Sequence, residues 1–351
     1  MSTVSELKTS VIINVYKRYQ YLPFALESVF TQSVKPNEVI VIADDPDKVP
    51  YRDKVYVIES KDEKYGTKII EGFRASTGDL IFFLEDDDLF HKDKVKIVKE
   101  IFQSKKDVVA VHNLQEYIDT EGNVVMDHNR FSQYITWQPT TNIILNKQNI
   151  LKIYKQYPLL HHNVSSMTIR RDVIENNRQI FNRIELSPDF VCFITALREG
   201  QLLHIADKLT LYRLGAGNSQ FSKGNYKQIK SLFCIWNRFA LDLSILYEYV
   251  KGDPVLRKLV LSQLAIHSYT VWIISPYSTH CKTTYEISTS DMLKIIWSSL
   301  YEARALMRRR RTIKYLILLG FISMSPLVKR KRIANWWLKR RGFDPKFFET
   351  N

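Results

Sequence analysis

Cysteine, glycine and proline are all scarce in this 351-residue chain, at three, eleven and eleven residues. The three cysteines, Cys192, Cys234 and Cys281, lie far apart with no CxxC spacing. That excludes a disulfide-held miniprotein and suggests neither a zinc site nor a disulfide framework, so the cysteines read as core thiols of a reducing compartment. So little Gly and Pro beside 45% hydrophobic residues excludes collagen-like and wholesale disordered chains and leaves one able to bury a large core. The N-terminal stretch MSTVSELKTS lacks the charged-then-apolar pattern of a secretory signal, which makes the cytosol the expectation. At roughly 150 residues per domain, the length suggests about two folding units, or one large α/β domain with an appended part.

Acidic residues are nearly missing from the end of the chain. Residues 301–351 hold fourteen Lys/Arg and three acids, a net +11 out of the whole chain's +14, so the first 300 residues carry only +3. A nearly neutral body with a cationic tail beside apolar sequence points to an anionic surface, either a membrane or a nucleic acid.

Apolar runs of β-branched residues alternate with helix-period segments along the first half. Ser10–Val15, Val39–Ala43, Lys54–Ile58 and Leu80–Leu84 read as strands, and the segments containing Leu22–Phe30 and Thr67–Ser76 as helices. Val108–Val111 and Ser166–Ile169 are further strands, and Asp189–Glu199 a helix with Ser187 as N-cap and Pro188 at its first position. Such alternation predicts a parallel sheet covered on both faces, with ligands beyond the carboxyl ends of its strands. Two acidic clusters stand at those ends, Asp44-Asp45 and Glu85-Asp86-Asp87-Asp88. From about Lys227 the pattern is predominantly helical. The expected organisation is an α/β domain over 1–225, a helical region over 226–300 and a basic tail over 301–351.

Four consecutive acids after a buried strand repel one another unless a cation intervenes. Oxygen-only ligands suit a hard cation, Mg²⁺ or Mn²⁺, which also binds phosphate oxygens. The plainer alternative is a solvated acidic turn with Asp88 capping the next helix.

Taken together, Ser10–Tyr16, Leu26–Gln32, Val39–Asp45 and Gly72–Phe90 resemble the family 2 glycosyltransferases of the GT-A fold, over most of residues 10–220. The resemblance implies a Rossmann-like mixed sheet flanked by helices, here with a mainly helical C-terminal region, and an inverting transferase that takes a nucleotide sugar, UDP-linked rather than GDP- or dTDP-linked. By position it implies that Asp44 contacts the nucleobase, with Asp45 the alternative. Glu85 stands at the first aspartate of the DxD-type motif, on ribose or metal, and Asp87 is the metal ligand. Asp86, counted with the nucleotide-binding residues, and Asp88 support rather than coordinate. Asp189 aligns with the base that takes the acceptor proton, with Pro188 in place of the usual glutamate. The helix N-terminus is expected to keep Asp189 ionised, which also weakens it as a base. Arg213 is placed near the diphosphate, where Gly215 replaces a histidine common in the family. Lys68 is a further diphosphate candidate, since the family's Arg-Asn pair before Gly72 is missing.

The adjacent His161 and His162 point to opposite faces of an extended chain and read as structural or acceptor-groove residues. Trp137, Trp236 and Trp272 read as core or interface anchors. In the tail, Arg308–Arg311 and Lys329–Arg332 flank the 14-residue apolar block Tyr315–Val328, shorter than the roughly 18–20 residues of a membrane span. Ala334–Leu338 with its paired tryptophans, followed by Lys339–Arg341, repeats the theme, so the tail is expected to lie on an anionic membrane. Nucleic acid fits poorly, because the basic residues are segregated around aliphatic blocks. The expected partners are a nucleotide-sugar donor, a glycan or lipid-linked acceptor of cell-surface polysaccharide synthesis, and the inner face of a membrane. Two rivals stand beside this reading. A sugar nucleotidyltransferase would need a glycine-rich loop where Tyr16–Gln20 has none; the other is a non-enzymatic binding module.

Overall fold

The computed structural model describes residues 6–125, 138–216, 226–302, 306, 327–340 and 342–348. The chain divides into two compact units, Met1–Gly217 and Asn218–Asn351. The first unit begins β1 (Thr9–Val15), α1 (Leu22–Phe30), β2 (Glu38–Ala43), β3 (Tyr56–Glu59), α2 (Tyr65–Ala75), β4 (Leu80–Glu85), β5 (Leu89–Phe90) and α3 (Lys94–Ser104). It continues with β6 (Val108–Ile118), β7 (Ile143–Leu145), α4 (Ile150–Gln156), β8 (Met167–Arg170), α5 (Arg171–Asn176), α6 (Arg178–Phe181), α7 (Pro188–Glu199) and β9 (Gln201–Arg213).

Among the described residues nine strands form one sheet in the order β3-β2-β1-β4-β8-β6-β9-β5, with β7 paired to β9. The first four are parallel, as their βα alternation requires. β8 runs antiparallel to both β4 and β6, so the sheet is mixed, as the GT-A resemblance implies, and not wholly parallel as the alternation alone suggested. Side chains alternate across it. Val11, Ile13 and Val15 of β1 join Leu80, Phe82 and Leu84 of β4 in a core with Leu22, Leu26 and Val29 of α1 and Val95, Val98 and Phe102 of α3. Toward the other face Ile12 meets α2, where a Cβ on Gly72 would lie 2.7 Å from the Ile12 side chain.

The N-terminus of α2 is pinned rather than capped. Backbone Tyr65 and Gly66 donate to the carbonyls of Glu185 (3.0 Å) and Ile184 (3.1 Å). A side chain at 66 would drive its Cβ to 1.9 Å from the Phe181 carbonyl oxygen, so only glycine admits this approach. The segment so held leads directly into Pro188 and Asp189.

The second unit comprises α8 (Tyr226–Tyr249), α9 (Pro254–Ile274), α10 (Thr289–Glu302) and α11 (Leu327–Arg340). Asp253 caps α9 by accepting from the N–H groups of Val255 and Leu256, both at 3.0 Å. Trp272, Phe233, Ile273 and Ile296 form its core. Two expectations are corrected here. Cys234 of α8 and Cys281 are joined by a disulfide, so they are not free thiols; only Cys192 is one, and it is buried. The paired tryptophans divide: Trp337 packs edge-on against Trp236 inside the unit, while Trp336 is 50% exposed beneath Arg340. Ala334, Leu338, Phe343 and Phe348 lie in the same core. Trp272 is a core residue and the half-buried Trp236 packs against that core, in keeping with the expected anchoring role. Trp137, Arg308–Arg311, residues 315–326 and residues 217–219 lie outside the described residues. Among the described residues no helix is long and apolar enough to cross a membrane.

Candidate active site

Three parallel strands, β1, β2 and β4, deliver the site by ending at the same rim of the sheet. Asp44 follows β2. Its Oδ1 accepts from the Lys17 amide (2.9 Å) and the Tyr19 hydroxyl (2.7 Å), both in the turn after β1. Burial pushes this carboxyl up, but those hydrogen bonds outweigh it and hold Asp44 below its ordinary range. Asp45 turns outward to an exposed pair with Lys48 at 2.9 Å. Lys68 of α2 is buried, with its ammonium 4.3 Å from the centre of the Tyr16 ring. Burial lowers its pKa against the pull of Asp44 and other acids.

The acidic segment after β4 separates into two functions. Glu85, Asp87 and Asp88 each offer a carboxylate oxygen, all within 4.8 Å of one another. Asp86 instead turns to Arg18, which donates Nε to Oδ2 at 2.9 Å and Nη2 to Oδ1 at 2.5 Å. The same guanidinium pairs with Asp87 Oδ2 at 3.0 Å and donates to the Ala216 carbonyl. Asp88 therefore stands in the potential ligand set from which sequence reasoning had left it out. It caps no helix, because β5 intervenes before α3. Burial and the neighbouring carboxylates push Glu85 well up, and burial with the charge of Asp88 pushes Asp87 up to about 8 against the opposing pull of Arg18. Three crowded oxygen donors that resist ionising together are a set whose strain a hard divalent cation relieves, so the residues fit Mg²⁺ or Mn²⁺.

Asp189 sits in the first turn of α7. Its Oδ1 accepts from Phe190 N–H (2.8 Å) and its Oδ2 from Asn163 N–H (3.3 Å). The expected effect of the helix terminus is overridden: burial raises the Asp189 pKa despite these hydrogen bonds and the nearby His162. It is therefore a stronger base than its helix position alone implies. His162 is held neutral, its pKa lowered by burial to about 4 against the pull of Asp189, and its ring lies 5.3 Å from that of Tyr212. His161 turns the other way, onto Phe190 at 4.8 Å and the Tyr154 hydroxyl at 3.1 Å.

One short segment, Asn163–Ser165, joins the two halves, and sequence reasoning missed it. Asn163 has a φ of 74°, in the left-handed region that asparagine tolerates. Its backbone N–H reaches Asp189 while its side-chain amide donates to Asp88 Oδ2 at 2.8 Å. The Ser165 hydroxyl accepts from Glu85 N–H at 3.0 Å, and its carbonyl accepts from the fully buried Lys94 at 2.5 Å. Lys94 also donates to Thr210 at 2.8 Å, which ties β9 to the same point.

Arg213, expected near the diphosphate, lies inside the loop system. It donates Nε to the Asp87 carbonyl (2.9 Å) and Nη1 to the Asp119 and Thr120 carbonyls (2.9 and 3.1 Å), while its backbone N–H reaches Asp88 Oδ1 (3.1 Å). It clamps the acidic segment from behind. Gly215 has a φ of 85°, where a histidine would be strained.

The geometry can be set beside known proteins. The sequence model described as glycosyl transferase family 2 matches residues 10–178, which span β1 through α5 and hold every acidic residue of the rim. Over that span, a little under half of its length, the chain is similar to glycosyl transferase family 2. Among curated relatives, an uncharacterised glycosyltransferase of Nostoc sp. is 29% identical over 120 residues, covering 31% of this chain and 37% of the relative. One of Rickettsia bellii is 32% identical over 125 residues, covering 33% of this chain and 18% of the relative. The chain thus spans well under two thirds of the curated relatives it matches. Among solved structures, residues 1–349 of S. aureus TarS in complex with UDP-GlcNAc superpose with a TM-score of 0.56. Identity is 13%, and the match covers 96% of this chain and 93% of that one. The UDP complex of the same protein gives a TM-score of 0.54. At that identity the likeness speaks for the fold, which is the GT-A fold of the family 2 segment.

Proposed function

We propose that the protein is a metal-dependent, inverting glycosyltransferase that moves a sugar from a UDP-sugar to a hydroxyl of a glycan or lipid-linked acceptor. The observation that carries this reading is the rim itself: a three-carboxylate cluster on the same sheet edge as Asp44, joined through Asn163 to the half-buried carboxylate of Asp189. UDP bound in a solved structure of similar fold, that of S. aureus TarS, supports the donor class.

In this reading Asp44, held ionised by Lys17 and Tyr19, accepts from the base N–H of the donor, with Asp45 outside it. Glu85, Asp87 and Asp88 hold a divalent cation, which when bound supplies positive charge against the diphosphate that leaves as the glycosidic bond breaks. Arg18 and Lys68 stand at the same rim with further positive charge for that group. Arg213 and Lys94 keep the acidic segment in place. Asp189 takes the proton from the acceptor hydroxyl as it attacks the anomeric carbon from the opposite side, and its raised pKa suits that work. Inversion follows from one displacement without a covalent sugar–enzyme bond.

The helix α11 supports the membrane part of the proposal, peripheral attachment at the cytosolic face. It leaves Lys331, Arg332, Lys339 and Arg340 exposed beside Trp336, a combination suited to an anionic headgroup layer.

A thermal-shift panel of nucleoside diphosphates with and without Mn²⁺ tests the donor site. A UDP-selective shift that needs Mn²⁺ and is lost in Asp87→Ala is the expected outcome. Equal shifts for all nucleotides, independent of Mn²⁺, would sink the proposal.

A further inference from the structure

The helical unit gathers a second set of ligand-type side chains far along the chain from the acidic rim. Cys234 lies on α8, and His280 and Cys281 lie in the connection between α9 and α10. Nε2 of His280 is 3.5 Å from the Cys234 sulfur and 3.8 Å from the Cys281 sulfur. A tetrahedral ion that holds thiolates at about 2.3 Å and an imidazole nitrogen at about 2.0–2.1 Å sets nitrogen-to-sulfur edges of roughly 3.6 Å. Two edges of the triangle already have that length. The third, between the sulfurs, would be roughly 3.8 Å on the same ion, and here a covalent bond closes it. With Cα atoms 5.2 Å apart, side-chain rotation alone lets the two sulfurs part that far. His280 is exposed and Cys281 buried, so the cluster opens to solvent on one side. Behind it Phe233 and Tyr277, near neighbours in sequence, belong to the core.

We infer that Cys234, His280 and Cys281 form a redox-alternative metal site: a disulfide when oxidised, and a Cys₂His site for one Zn²⁺ when reduced, with water in the fourth position. Thiolate and imidazole donors select such an ion over Mg²⁺, which sets this site apart from the carboxylate rim. For the exchange, a dithiol reductant gives two electrons and two protons, the Sγ–Sγ bond breaks, two thiols form and the reductant leaves as its own disulfide. Zn²⁺ then replaces the two thiol protons, which pass to water. His280 now donates from Nε2 to the Lys230 carbonyl at 3.1 Å; on binding the ion its ring proton is carried on Nδ1 instead, through exchange with water, which frees the Nε2 lone pair. In either state α8 stays tied to the α9–α10 connection. A reducing compartment, where disulfides are rare, would keep the cross-link through the metal. The inference does not depend on glycosyl transfer.

The test uses the full-length protein, stripped of metal. In the reduced protein Co²⁺ gives a thiolate-to-metal charge-transfer band that one equivalent of Zn²⁺ abolishes, and in the disulfide form no band appears. Cys234→Ser removes the band. Asp87→Asn leaves it intact, because the carboxylate rim contributes no sulfur. His280→Ala, at an exposed position, weakens Zn²⁺ in competition with a chromogenic chelator by at least the roughly tenfold that loss of an outer-shell partner costs. If Cys234→Ser fails to fold, protection of Cys234 and Cys281 from alkylation by Zn²⁺ in the reduced wild type replaces it. No band in the reduced wild type, a band that survives Cys234→Ser, or equal alkylation with and without Zn²⁺ overturns the inference.

Discussion

Replacing Arg18 with glutamine isolates what holds the acidic rim together. The Asp86 and Asp87 side chains are 7% and 8% exposed and that of Arg18 is 20% exposed, so the pair lies near the buried limit. Removing one partner of a buried pair costs about 3–5 kcal/mol, because the other charge is left uncompensated, and the partial exposure of Arg18 favours the lower end. For a unit of this size each kcal/mol lowers Tm by roughly 2–4 °C. Arg18→Gln should therefore melt about 6–12 °C below the wild type in the presence of a chelator. Mn²⁺ reverses the difference. In the wild type the ion meets carboxylates already paired with a guanidinium, whereas in the variant they are released to it. At a hundredfold excess over Kd the ion restores about 2.7 kcal/mol, most of the loss. Differential scanning calorimetry with chelator or Mn²⁺ measures both. If the variant melts with the wild type in chelator, or if Mn²⁺ shifts the two proteins equally, the reasoning about the rim is wrong.

Asp189→Asn should retain UDP binding while the rate of sugar transfer falls by about 10²–10⁴, the usual contribution of a general base; unaltered transfer would remove Asp189 from that role. Because burial raises the Asp189 pKa above the ordinary 3.8, wild-type transfer should rise as pH increases through the raised value, and Asp189→Asn should lose that limb of the profile. His267 of α9 offers a check on stability. Burial lowers its pKa from 6.5 to about 4, so its neutral form contributes stability that is whole above pH 6.5 and lost as pH falls toward 4. The loss amounts to at most about 3 kcal/mol. His267→Leu should flatten the acid limb of a denaturation series, and an equally steep limb would contradict this.

The strands β1, β2 and β4 were legible because each is a buried apolar block ending in a polar turn. β6 and β9 were not. The sequence suggests four residues at Val108–Val111, but the strand runs on to Ile118 through His112, Asn113 and Gln115, polar residues that are buried and hydrogen-bonded. β9 carries Asp207 and Lys208 in mid-strand, where its pairing with β6 slips register. Asp44 and the acidic segment stood out because charge at a strand end is visible in one dimension. Arg18 and Asn163 did not, since their partners lie 68 and 75 residues away. Asp189 is more basic than the sequence suggests for a related reason. A helix terminus can be read from Ser187-Pro188, whereas the burial that outweighs it comes from chain segments far apart. The pairing of Cys234 with Cys281, 47 residues on, likewise depends on how α8 packs.

Asn163 touches a rim carboxylate with its side chain and the proposed proton acceptor with its main chain. A substitution there cannot tune one without detuning the other, because the same turn sets both positions. Arrival of the donor at one end would thus be felt as a change of alignment at the other. Specificity for different acceptors has to evolve elsewhere, on surfaces that leave this hinge pin alone.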